Sequence, residues 1–140
     1  MHVGGSYFLQ TKQLNNLKCC YATAIGGLST AVLNLNNMRD MQNDIAVGKK
    51  TIAALLGLKG AKIYHTILVL GSITALSVGV LYNYKGCVGY IPLLAVIPLL
   101  LQLVWTLKLK SHKDFDGLLK PLALTTFGTS ILLLFTQIAI

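Results

Sequence analysis

The sequence predicts an all-α fold, a polytopic membrane helical bundle with four transmembrane helices, and three observations carry the prediction. Charged residues make up only 11% of the 140, where a soluble domain carries roughly a quarter. Four stretches contain no Asp, Glu, Lys or Arg: 19–35, 63–82, 87–107 and 121–140, of 17, 20, 21 and 20 residues. At about 1.5 Å per residue, the longer three match a hydrocarbon core of roughly 30 Å. Finally, the Lys and Arg residues alternate by loop. Nine fall between the first two stretches (Arg39, Lys49, Lys50, Lys59, Lys62) and the last two (Lys108, Lys110, Lys113, Lys120), against three elsewhere (Lys12, Lys18, Lys85). By the positive-inside rule this places the two basic loops in the cytoplasm and both termini outside. The expected setting is therefore the cell (inner or plasma) membrane, crossed several times.

Taken in order, the opening "MHVGGSYFLQTKQLNNLK" has no basic n-region or cleavage site and reads as the end of an earlier helix entering a loop. Span 19–35 carries Gly26, Gly27, Ser29 and Thr30, small residues that allow close helix approach. Asn34, Asn36 and Asn37 follow, costly against lipid and so expected to face a bundle interior or a wet cavity. After Asp44, "TIAALLGLKG" is too short to span and predicts a surface or lid helix, with Gly57 and Gly60 as stops. Span 63–82 returns through "NYKG" to span 87–107, where Pro92 and Pro98 predict kinks or interruptions. Tyr82, Tyr84, Tyr90 and Trp105 sit at span ends like an interfacial aromatic belt. Pro121 is expected in the first turn of span 121–140. No repeat or second domain is visible. Cys19, Cys20 and Cys87 form no disulfide framework, and His2, His65 and His112 have no metal-ligand spacing.

A net charge of +8 invites a nucleic-acid reading, but its loop alternation is a membrane-insertion signal, so no nucleic-acid partner is expected. The informative stretch is "NNMRDMQNDIAVGKKT", residues 36–51, which holds two of the four acidic residues in a chain without glutamate. On a helix, Asp40 and Asp44 project from one face, with Asn36 on the same stripe and Asn37 beside it. Two carboxylates and two amides are the oxygen donors that Mg²⁺ accepts, typically while substrate phosphates complete its shell. Arg39, Lys49 and Lys50 supply positive charge nearby, the arginine being suited to bidentate phosphate contacts. The bland reading is an ordinary solvated turn; the scarcity of acid elsewhere and the membrane-helix end weigh against it. Lys49 and Lys50 serve equally well as topology anchors. Asp114 and Asp116 flank no amide cluster and read as loop residues. A phosphate-binding metal site beside membrane helices suits a ligand with a diphosphate in water and a tail in lipid, as in a polyprenyl diphosphate.

The same residues carry a family resemblance. "NNMRDMQNDIAVGKKTIAALLG" resembles the second aspartate-rich motif of the UbiA superfamily of intramembrane prenyltransferases, in the form typical of its 1,4-dihydroxy-2-naphthoate polyprenyltransferase branch. "GGSYFLQTKQL" is similar to a segment preceding that motif, and "DGLLKPLALTTFGTSILLL" to the branch's last helix. The resemblance implies transfer of a polyprenyl group from polyprenyl diphosphate to 1,4-dihydroxy-2-naphthoate with loss of CO2 and diphosphate, giving demethylmenaquinone in menaquinone biosynthesis. It implies Asp40 and Asp44 as catalytic metal ligands for Mg²⁺, with Arg39, Lys49, Asn37 and Lys50 toward the diphosphate, and Tyr7 and Gln10 lining the pocket.

That family's fold has nine transmembrane helices and two aspartate motifs; residues 1–140 offer four spans and one motif. They are expected to be the C-terminal portion of one prenyltransferase domain, matching its last four helices. Alone the chain is expected to be inactive, to leave Asn34 and Asn36 facing lipid, and to pair with a separate N-terminal half. The alternatives are a related prenyltransferase with another aromatic acceptor, or a small non-enzymatic four-span membrane subunit.

Overall fold

The computed structural model describes residues 16–83 and 87–138, with side chains at 19–82, 89–111 and 114–136. Helix α1 is Asn16–Ala46 and α2 is Ile52–Asn83; a 3-10 segment, Cys87–Ala95, leads into α3, Val96–Lys108, and a 3-10 turn, His112–Phe115, into α4, Asp116–Ile138. The described residues contain no strand, and the all-α expectation stands.

The first two helices form the frame. Tyr21 Oη donates to the Gly79 carbonyl at 2.8 Å, Gly27 abuts Ser72, and Asn34 Nδ2 donates to the Ala61 carbonyl at 3.0 Å. Partner numbers fall as those of α1 rise, so the pair is antiparallel. A Cβ at Gly27 would strike Ser72 Oγ, and one at Gly79 would stand 2.6 Å from the Tyr21 ring. Of the small residues that the sequence singled out, Gly27 lies at this contact, whereas Gly26 faces open space and Ser29 is exposed. Each helix turns a stripe inward at spacings of three and four: Ala24, Leu28, Ala31, Leu35 and Met38 on α1, and Ala61, His65, Val69, Ser72, Leu76 and Val80 on α2, all at most 2% exposed. Leu99, Phe115 and Leu122 close the core from α3, the second 3-10 turn and α4.

Outward faces are apolar too. Ile63, Ile67, Leu94, Ile97, Leu101, Leu124, Phe127 and Leu134 are each about 60% exposed or more, a surface that suits hydrocarbon rather than water. Three segments are long and apolar enough to cross a membrane: Ile52–Tyr82, Gly89–Lys108 and Asp116–Thr136. The fourth expected span belongs to α1, which is long enough at 31 residues but meets asparagines directly after its 17 charge-free positions. Its polar atoms face neighbours instead. Asn34 is 2% exposed and bonded to α2, so the expectation that it faces lipid fails; Asn36 is half-buried.

Several boundaries differ from the sequence reading. The short apolar helix does break from α2 at Gly57, whose φ of 67° and ψ of 172° are non-helical, but Gly60 continues the helix instead of stopping it. Pro92 lies in the 3-10 segment, an interruption of the expected kind. Pro98 falls in the first turn of α3, where a missing N–H breaks no helical bond, so it starts a helix instead of kinking one. Pro121 lies inside α4, because the helix already begins at Asp116. Tyr82, Tyr90 and Trp105 are exposed at segment ends as a belt requires. Tyr7, Gln10 and Tyr84 lie outside the described residues.

Where α2 begins its membrane stretch, Lys62 donates to the carbonyls of Leu107, at 3.0 Å, and Leu109, and its ammonium sits 5.8 Å from the centre of the Phe115 ring. It thereby satisfies carbonyls at the C-terminus of α3 that no helix can bond.

Candidate functional site

The charged stretch is the last third of α1, which stays helical through Asp44. The two carboxylates are therefore one turn apart on one side of a rigid element, as their spacing predicts. Met38 and Met41, at 0% and 5% exposure, form a buried stripe that Asp44 continues one turn on at 4%, and this fixes the rotation of the helix end. Asn37, like Asn36, is half-buried one turn before the aspartates.

Each carboxylate already holds a cation. Arg39 grips Asp40 with two bonds, Nε to Oδ1 at 2.7 Å and Nη2 to Oδ2 at 2.9 Å. Its remaining terminal nitrogen, Nη1, donates to Asp116 Oδ1 at 2.9 Å. Hydrogen bonding to Arg39 holds the Asp40 carboxyl below the usual carboxylate range; partial desolvation opposes this, and Lys49 adds a smaller lowering. Reciprocally, the bonds to Asp40 first and Asp116 second raise the Arg39 guanidinium, which stays charged at any accessible pH.

Asp44 differs in burial. Its side chain is 6% exposed, and Lys49 Nζ, itself 61% exposed, reaches Oδ1 at 3.2 Å. The backbone explains the reach. Lys49 N–H donates to the Asp44 carbonyl at 2.8 Å and Gly48 N–H to that of Ile45 at 3.1 Å, with Gly48 at a φ of 72°. This is a Schellman C-cap, which needs a left-handed residue where glycine alone has no Cβ penalty. The sequence "DIAVGK" thus ends α1 and folds the lysine back over the aspartate one step. Thr51 then opens α2, its Oγ1 accepting from Ala54 N–H at 3.2 Å. Lys50 is exposed and makes no ion pair among the described residues.

The other oxygen of Asp44, Oδ2, is buried without a hydrogen-bond partner. A buried carboxylate oxygen left open is costly unless something comes to it, and a hard cation is the group its chemistry suits. The described residues include no cluster of three His, Cys, Asp or Glu side chains around it. The donor set therefore fits a divalent cation that takes two carboxylates here and the remainder of its shell from elsewhere.

Sequence reasoning missed Asp116. It pairs with a residue 77 positions earlier, and no local pattern signals such a pairing. Asp114, by contrast, makes no ion pair among the described residues.

Comparison with known proteins adds relatives to this geometry. The UbiA prenyltransferase family pattern matches residues 1–136. The 1,4-dihydroxy-2-naphthoate octaprenyltransferase of Escherichia coli (strain K12) is 40% identical over 102 residues, 73% of this chain and 33% of that protein. The protein of the same description from Haemophilus influenzae is 43% identical over 67 residues, 48% of this chain and 22% of its own length. That from Bacillus subtilis (strain 168) is 39% identical over 56 residues, 40% and 18% respectively. The chain thus spans about a third or less of the length of these relatives. No solved structure matches it.

Proposed function

Because the chain belongs to the UbiA prenyltransferase family, we propose that it carries one aspartate motif of a 1,4-dihydroxy-2-naphthoate polyprenyltransferase. In this reading it supplies the last four helices of the catalytic domain, sits in the cell membrane with the aspartates on the cytoplasmic side, and needs a separate N-terminal half to work. The observation that carries the reading is the open, buried Asp44 oxygen one turn from Asp40, with Arg39 and Lys49 attached to the same two carboxylates.

The reaction breaks the allylic C–O bond of polyprenyl diphosphate and forms a C–C bond to the electron-rich naphthoate ring, which loses its carboxyl group as CO2. The transfer is redox-neutral, so demethylmenaquinone leaves as its quinol. A bound Mg²⁺ would stabilise the departing diphosphate by neutralising its charge. Asp40 and Asp44 hold that ion's position through a helix that cannot shift one without the other. Arg39 offers a planar fork of N–H donors to phosphate oxygens, and Lys49 a mobile ammonium. Asn37 and Lys50 stand at the edge of the same face and complete the polar rim.

The test is to express the chain in membranes together with the N-terminal half of a relative and supply labelled naphthoate and polyprenyl diphosphate. Prenylated, decarboxylated quinol should form with both halves and Mg²⁺, and fall at least about a hundredfold with Asp40→Asn or Asp44→Asn. Undiminished product from either variant, or a preference for hydroxybenzoate as acceptor, would refute the assignment.

A further inference from the structure

The guanidinium of Arg39 is divided between two carboxylates of different standing. Asp40 takes Nε and Nη2 from the same helix, while Asp116, at the start of α4, takes Nη1 from across the bundle. Asp116 is not on the metal-facing stripe, and its side chain is 72% exposed. Its location is nonetheless fixed. The preceding residue, Phe115, is 0% exposed in the core beneath α1, and the Lys62 ammonium lies against the Phe115 ring. The loop between α3 and α4 is thus pinned against the polar end of α1.

This arrangement resolves a conflict within the site. Both Asp40 oxygens accept from Arg39, so the guanidinium and a divalent cation compete for the same carboxylate. An arginine released with no second acceptor would sample solvent through four rotatable bonds. We propose that Asp116 is a positioning residue that shares Arg39 with Asp40 and retains it when Asp40 turns to the cation, leaving the freed Nε and Nη2 donors aimed at a diphosphate. The inference rests on the diphosphate reading given above and adds to it a residue from a second loop. Asp116 touches neither metal nor phosphate; it acts through Arg39.

The chain suits a direct test, because Arg39 is its only arginine. Labelling with [15N]arginine in lipid nanodiscs gives a single set of guanidinium signals. In the metal-free chain, Asp116→Asn should speed exchange of the guanidinium protons roughly threefold, the scale of one exposed ion pair, and Asp116→Glu should restore the slow rate. On titration with inorganic diphosphate and Mg²⁺ after assembly with the unlabelled N-terminal half of a relative, the Asn variant should need roughly threefold more diphosphate for half-saturation and reach the same end point. Equal exchange rates in wild type and Asp116→Asn would overturn the link. A normal diphosphate response unchanged by Asp116→Asn would overturn the positioning role alone. If no such assembly, wild type included, responds to Mg²⁺ and diphosphate, the site reading itself fails and takes the handover with it.

Discussion

Helix α1 carries two polar regions that solve opposite problems. At its C-terminal end, Arg39, Asp40, Asp44 and Lys49 are ionised and mutually paired, and three of the four are at least partly open to solvent. Two turns earlier Asn34 is sealed inside the bundle, as are His65 of α2 and Gln102 and Thr106 of α3, each at most 6% exposed and none a permanently charged type. Gln102 Nε2 donates to Thr106 Oγ1 at 2.9 Å, and Asn34 to the Ala61 carbonyl. The His65 ring has the Ala31 carbonyl and the Gln102 side chain as polar neighbours, and neither of its nitrogens makes a hydrogen bond. The difference teaches where this chain tolerates charge. Near water, an ion pair screens itself and its members can change partners; inside, only neutral groups are admitted, and they hold helices together.

The sharpest way to break that contrast is to put a charge in the sealed interior. His65→Lys should destabilise the bundle by about 3 kcal/mol, read as a lower midpoint in mixed-micelle unfolding, since no acidic residue lies near it in sequence on α2 or α3. Gly48→Ala comes next. It forces a Cβ onto a residue with a φ of 72° at a cost of about 1–2 kcal/mol, and it should also detach Lys49 from Asp44; Gly48→Asn should cost less, because asparagine visits that region more readily. Asn34→Leu should cost roughly 0.6 kcal/mol, the average for an interhelical hydrogen bond in a membrane. The smallest effect is electrostatic. Because Arg39 holds the folded Asp40 carboxyl below its ordinary value of 3.8, its contribution is fully present above that pH and is lost as pH falls through the lower native value. Replacement by Asp40→Asn should flatten the acid limb of the stability profile slightly, the pair being partly solvent-screened.

Much of this was legible in the sequence. Of the four spans that the charge-free stretches predicted, three stand as membrane-length apolar segments, and the four-residue spacing of Asp40 and Asp44 anticipated their shared face because helical geometry is local. Gly57 was legible as a stop because the short apolar run ends there, whereas Gly60 misled because burial against neighbours outweighs one glycine's weak helix propensity. Pro121 misled for a related reason: the turn at Phe115, held by its burial, starts α4 five residues earlier than the proline suggests. Asn34 looked lipid-facing only while α2 was not yet beside it. Asp116 was unreadable because its partner is chosen by the packing of two loops.

Lys62 has a consequence for biogenesis. Its charge belongs to the basic set from which the sequence predicts the orientation of α2, and the same ammonium caps α3. The cap exists only if the C-terminus of α3 emerges on the side where Lys62 was retained. An inverted α3 would leave its final carbonyls bare in the headgroup region and Lys62 without acceptors. One side chain therefore both counts toward the predicted orientation of one helix and ties that helix to the end of another synthesised after it.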